Sequence, residues 1–241
     1  MGEKRSISKA VGKQKPIYFE QLELPFENEG VREIKPLYPF VISGGKNTEH
    51  YYFRHISDNT RYKFNIFPEY FGMEASYTEL FPERINKILK DNSDAKIFCV
   101  FDWDTIHGSK RKQEKHKAFI NKYKSEIDSE VVVVCPSMPS IEYWFLLHFE
   151  NHTQLIKTCG KTMQKLLTPY MMSYFKDTKG KQLLKVLKTE ELVKDPTWVV
   201  KLCQNGKLEE AIQRAESNIK SAIAKGELDN QSYTYVYMLF K

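Results

Sequence analysis

The strongest constraint on this chain is a pair of apolar runs without alternation, AKIFCVF over 95–101 and VVVVC over 131–135. A strand with one wet face alternates apolar and polar residues, so an unbroken apolar strand is covered on both faces. A sheet sandwiched between helices supplies that environment. The rest of the pattern agrees. Pro39–Ile42 is a third short apolar run, and Tyr62–Phe67 alternates at period two. Helical periodicities fall between the runs. One carries Tyr51, Tyr52, Phe53 and Ile56; another spans 76–90 with Leu80, Ile85, Ile88 and Leu89 on one face, Pro82 bounding or distorting its first turn. A Lys/Arg-rich helix over 112–125 and an apolar one from Ile141 to Leu147 complete the series. The order βαβαβαβα predicts an α/β fold: a mostly parallel four-stranded sheet flanked by helices.

Three segments follow. Residues 1–37 form a basic arm and lead-in, with Pro16, Pro25 and Pro36 interrupting any long element. Residues 38–152 form the α/β domain, and 153–241 a helical C-terminal subdomain with no strand before Tyr233 to Phe240, in which Leu208, Ala211, Ile212, Ala215, Ile219 and Ile223 make one stripe. A hydrophobic fraction of 41% in 241 residues excludes a disordered chain. No stretch reaches the roughly 18 apolar residues of a membrane span, and the first residues are polar and basic rather than a leader. The four cysteines, Cys99, Cys135, Cys159 and Cys203, lack metal-binding spacing, which predicts a reducing, cytoplasmic compartment.

The net charge of +6 is modest but unevenly spread. One cluster is the N-terminal arm, with Lys4, Arg5, Lys9, Lys13 and Lys15. A second, Lys110, Arg111, Lys112, Lys115, Lys117, Lys122 and Lys124, follows an acidic pair, and a third runs from Lys157 to Lys188 with Asp177 its single acid. Clusters beside acidic residues fit nucleic-acid phosphates, though a solvated helix face accounts for each taken alone.

In open α/β sheets ligands bind at the carboxyl ends of the strands. Three features lie there: the Ser43–Glu49 turn, the pair Asp102 and Asp104, and the Ser137–Glu142 turn. Carboxylates at i and i+2 just past a strand can face one hard divalent cation such as Mg²⁺ or Mn²⁺, although such pairs also serve as turn formers. Glu49 and Glu142 each open a helix, where a carboxylate either completes a site or meets the helix dipole. Gly44-Gly45-Lys46 lets the backbone approach an anion, but the full phosphate-binding loop is absent. His148 and His152, four apart at the exit of the 141–147 helix, read as a polar helix end rather than zinc ligands.

These residues resemble the RloB-like protein family. The resemblance rests on Val41-Ile42-Ser43-Gly44-Gly45-Lys46-Asn47-Thr48-Glu49-His50-Tyr51-Tyr52-Phe53, similar to a strand–EGxxTExxYF turn; on Val100-Phe101-Asp102-Trp103-Asp104; and on Pro136 to Phe149, similar to SNPxFExWLLLHF. Asn230 to Leu239 echoes a closing N-P-x-T-x-V-x-x-L, with Gln231 in place of proline. The resemblance implies a Toprim-type nuclease core that accompanies an ATPase in bacterial defence. It implies that Asp102 and Asp104 hold Mg²⁺ or Mn²⁺, with Glu49 as a further ligand or acid/base group and Glu142 completing the catalytic set. Lys46, Lys110, Arg111, Lys112, Lys115 and Lys117 would then contact DNA or RNA. One departure is serious: Gly44 stands where the family has its first glutamate, and Lys46 replaces an acidic residue.

Two functions from different classes follow: a metal-dependent endonuclease, or a binding module that holds nucleic acid or an ATPase without cleaving. A haloacid-dehalogenase-like phosphatase, suggested by Asp102-Trp103-Asp104-Thr105, is set aside because no later paired-aspartate motif follows residue 128. An isologous homodimer is the ordinary expectation for oligomeric state.

Overall fold

The computed structural model describes residues 38–45, 47–67 and 77–241; the basic arm and Lys46 lie outside the described residues. In chain order the elements are β1 (Phe40–Ser43), α1 (Thr48–Asn59), β2 (Asn65–Ile66), α2 (Tyr77–Asp91), β3 (Ile97–Asp102), α3 (Asp104–His107), α4 (Lys110–Lys122), α5 (Lys124–Asp128), β4 (Val132–Met138) and α6 (Ile141–Leu147). Then come α7 (Lys161–Met171), α8 (Leu183–Leu187), α9 (Glu190–Val193), α10 (Thr197–Cys203), α11 (Lys207–Lys225) and β5 (Tyr233–Thr234).

The sheet order is β2-β1-β3-β4-β5. The first three pairings are parallel and the last, β4 with β5, is antiparallel. The expected four strands are therefore five. β5 lies at the start of the strand-like stretch Tyr233 to Phe240, but just two residues of it pair, with Ser137 and Met138, and Val236–Phe240 is a 3-10 turn. β4 also runs three residues past its apolar stretch, through Pro136, and β2 keeps only two residues of the alternating segment.

β3 is central because its side chains feed two cores. Phe98 and Val100 join Val41, Val133 and Cys135 on one face, while Ile97, Cys99 and Phe101 join Ile42 and Val132 on the other. This is what the unbroken apolar runs require. The second face is covered by α2, through Phe81, Ile85 and Ile88, and by α4, through Phe119. The first face is covered by α1, α6 and most of the C-terminal helices, including Trp198 and Leu202 of α10 and Leu208, Ala211, Ala215 and Ile219 of α11. Burying each such large side chain contributes about 1.5–3 kcal/mol. The residues beyond 152 thus share one core with the sheet. From Tyr38 onward the chain forms one compact unit.

Details depart from periodicity. Ile223, expected in the stripe of α11, is 58% exposed, while Ala222 is buried in its place. α11 ends at Gly226 in the left-handed region, φ 68°, where the Glu227 N–H reaches back to the Ala222 carbonyl (2.9 Å), a closure that favours glycine. α2 runs from Tyr77 through Pro82, close to the expected 76–90, so the proline does not bound it. The C-terminus closes the core: Phe240 stacks on Trp144 with centroids 5.6 Å apart, and the Trp144 indole N–H donates to the Tyr52 hydroxyl at 2.6 Å. Among the described residues no helix is long and apolar enough to cross a membrane.

Candidate metal centre

Parallel pairing aligns the carboxyl ends of β1, β3 and β4, so the turns after them share one edge. β3 ends at Asp102, whose Cα partner on β4 is Ser137. Trp103 N–H donates to the Ser137 carbonyl (2.8 Å) and Asp104 N–H to the Pro139 carbonyl (3.0 Å), so the acidic pair is held by backbone against the β4–α6 turn.

The side chains then diverge. Asp102 Oδ1 accepts from the Ile141 N–H at 2.9 Å, at the first residue of α6. Asp104 Oδ2 accepts from the Cys159 N–H at 2.8 Å, in the segment before α7. Glu142, 3% exposed in the first turn of α6, accepts from the Ser140 hydroxyl at 2.5 Å. Glu49, 6% exposed in the first turn of α1, folds back over the preceding turn, where a Cβ on Gly45 would land on its carboxylate. Glycine at 45 is thus what makes room for Glu49.

The carboxylates act on one another through their charges. Burial pushes Glu49 up to about 7, with repulsion from Glu142 adding to it and the Lys188 charge and backbone N–H groups of Glu49 and Gly45 opposing it. Asp102 is driven well above the usual carboxyl range, first by desolvation and then by Glu49, Glu142 and Asp104, against the Ile141 hydrogen bond. The Cys159 thiol is also raised, chiefly by burial and next by the Glu142 charge. Like charges gathered out of water are costly, and a cation relieves that cost.

The predicted site residues therefore come together in part. Asp102 feels the charges of Glu49, Glu142 and Asp104, while the Asp104 side chain turns toward the Cys159 N–H. Among the described residues no group of three or more His, Cys, Asp or Glu side chains stands in a ligating array. The donor set is nevertheless all carboxylate, which fits a hard divalent ion. His148 is buried and held down to about 3 by desolvation, its Nδ1 against the Trp144 carbonyl at 3.0 Å, so it belongs to the core.

Lys110, Arg111, Lys112, Lys115 and Lys117 are exposed on α4, which begins six residues after Asp104. Three of them occupy the first turn, which holds no acid and is capped by Ser109. Cations there oppose the helix dipole, so helix stability does not explain their placement. Sequence reading missed Arg84, and it named Lys188 only as the end of a basic cluster, not as a neighbour of this turn. Arg84 of α2 is buried and donates to the Ser43 carbonyl (3.2 Å), bracing the β1–α1 turn. Lys188 reaches the same turn from the far end of the chain. Neither lies in a motif that could have signalled it.

The fold and this edge define an α/β protein with a mixed five-stranded sheet whose strand ends gather buried carboxylates. The family is then direct: the chain belongs to the RloB-like protein family, whose model matches residues 40–241. No curated protein and no solved structure matches it.

Proposed function

We propose that this protein is a Mg²⁺- or Mn²⁺-dependent nucleic-acid phosphodiesterase, an endonuclease of the Toprim type, acting in the bacterial cytoplasm in defence against phage beside an ATPase partner. The observation that carries this reading is the gathering of buried Glu49 and Glu142 and half-buried Asp102, at the ends of the adjacent strands β1, β4 and β3, into one set of mutually repelling carboxylates. A structural role alone would not retain three such carboxylates, since each costs desolvation that apolar residues avoid.

In this reading Asp102 and Asp104 would hold the cation with Glu49, and the cation supplies Lewis-acid polarisation of the phosphate and an acidified water. Glu142, fixed by the Ser140 hydroxyl, completes the site. Without a cation Glu49 is raised toward neutrality by burial and by Glu142, and binding the ion would return it to the charged form that a ligand needs. The exposed cations of α4 neutralise backbone phosphates on the approach.

Gly44 favours a second reading. It stands where the resembled family carries its first glutamate, and without that carboxylate the same surface would hold nucleic acid or a partner ATPase without cutting. Purified protein with Mn²⁺ is therefore to be incubated with single- and double-stranded DNA and with tRNA, alone and with the ATPase. Cleavage that disappears in Asp102→Ala supports the nuclease. Cleavage of none of them overturns it in favour of the binding module.

A further inference from the structure

Two hydrogen bonds tie the segment after α8 to the start of α1. Asn47 Nδ2 donates to the Lys188 carbonyl at 2.7 Å, and the buried Thr48 hydroxyl to the Leu187 carbonyl at 2.8 Å. Both use backbone oxygens, so they fix the position of residue 188 without engaging its side chain. Leu183, Val186 and Leu187 are buried beneath it, giving that position a rigid base. The Lys188 side chain is exposed, and among the described residues it enters no ion pair. Its charge acts on Glu49 against the repulsion from Glu142.

A lysine held at a carboxylate cluster yet not salt-bridged to it has a free ammonium at the rim. Once a divalent ion neutralises the carboxylates, that ammonium is left facing whatever enters, and three donors on a compact charge suit a phosphate. We propose that Lys188 is a substrate-positioning residue, whose ammonium holds a backbone phosphate of a nucleic-acid strand beside Glu49 and Asp102. The inference rests on the nucleic-acid reading of the site but not on its cutting.

The test is fluorescence anisotropy of fluorescein-labelled single-stranded DNA and RNA oligonucleotides with the full chain in Ca²⁺, over a salt series. Lys188→Ala is expected to weaken binding roughly tenfold and to flatten the log–log salt dependence by about one contact's worth, as loss of one phosphate contact requires. Lys188→Arg keeps the slope. Lys194→Ala, which removes the same net charge from an exposed position nearby, leaves both unchanged. Equal behaviour of the Lys188 and Lys194 variants overturns the proposal. So does weaker binding at an unaltered slope, which marks a structural role, and so does failure of the unmodified protein to bind either oligonucleotide. Lys188-dependent binding without cleavage removes only the nuclease reading; cleavage with an unchanged KM in Lys188→Ala removes only this one.

Discussion

Removing the charge of Glu49 is expected to make the protein more stable, and more so as pH rises. Glu49 titrates at about 7 in the folded chain against 4.5 ordinarily, because it is desolvated and faces Glu142. Between those values the folded chain keeps a proton that the unfolded chain has released, so the free energy of unfolding falls as pH rises through that window. The shift is about 2.5 units, which at about 1.36 kcal/mol each amounts to roughly 3 kcal/mol above the window and about 1 kcal/mol near pH 5. Glu49→Gln keeps the shape and the acceptor oxygen but cannot ionise. In EDTA, chemical denaturation should therefore find Glu49→Gln more stable by roughly 3 kcal/mol at pH 8, with the gap narrowing to about 1 kcal/mol at pH 5. An equal gap at both pH values, or a less stable variant at pH 8, refutes the account of a desolvated, repelled carboxylate. Adding Mg²⁺ should close the gap from the other side, by stabilising the unsubstituted chain alone.

Reversing Lys110, Arg111 and Lys112 together to glutamate should move two properties in opposite directions. Favourable pairing with the dipole of α4 raises the melting temperature by the equivalent of about 1 kcal/mol or more, while oligonucleotide affinity at low salt falls by at least about tenfold; a variant that binds as before excludes this helix from the interface. Trp144→Phe removes the indole N–H from the buried Tyr52 hydroxyl and thins the stack under Phe240, and should cost about 2–4 kcal/mol in denaturant unfolding. A cost under about 1 kcal/mol shows that the bond contributes little.

The sheet was legible wherever a strand is buried on both faces, since Ile97–Asp102 and Val132–Met138 advertise themselves by composition. β5 was legible only as the stretch Tyr233 to Phe240, not in its extent or its place in the sheet, because the two residues that pair, with Ser137 and Met138, are selected by contacts distant in sequence. The acidic site followed the same division. Glu49, Asp102 and Glu142 could be gathered because each closes a strand-to-helix turn and parallel strands bring such turns together. That Asp104 would turn toward the Cys159 N–H could not be read, since the segment carrying Cys159 returns to the sheet from 55 residues away. Arg84 and Lys188 reach the β1–α1 turn from a helix face and a helix end whose local sequence resembles any solvated surface. His148, placed at a polar helix end by its residue type, is instead sealed in the core, because the helix before it is buried on every side.

The antiparallel strand β5 and the turn after it impose an order of events. β4 and the turn that holds the acidic pair leave the ribosome some ninety residues ahead of Tyr233 and Thr234, whose backbone and hydroxyl complete the edge beside Ser137 and Pro136. Until that late segment arrives, Trp144 lacks its stacking partner Phe240, and the helix bearing Glu142 rests on an unfinished core. A half-made chain therefore leaves the helix that bears Glu142 without the C-terminal part of its packing.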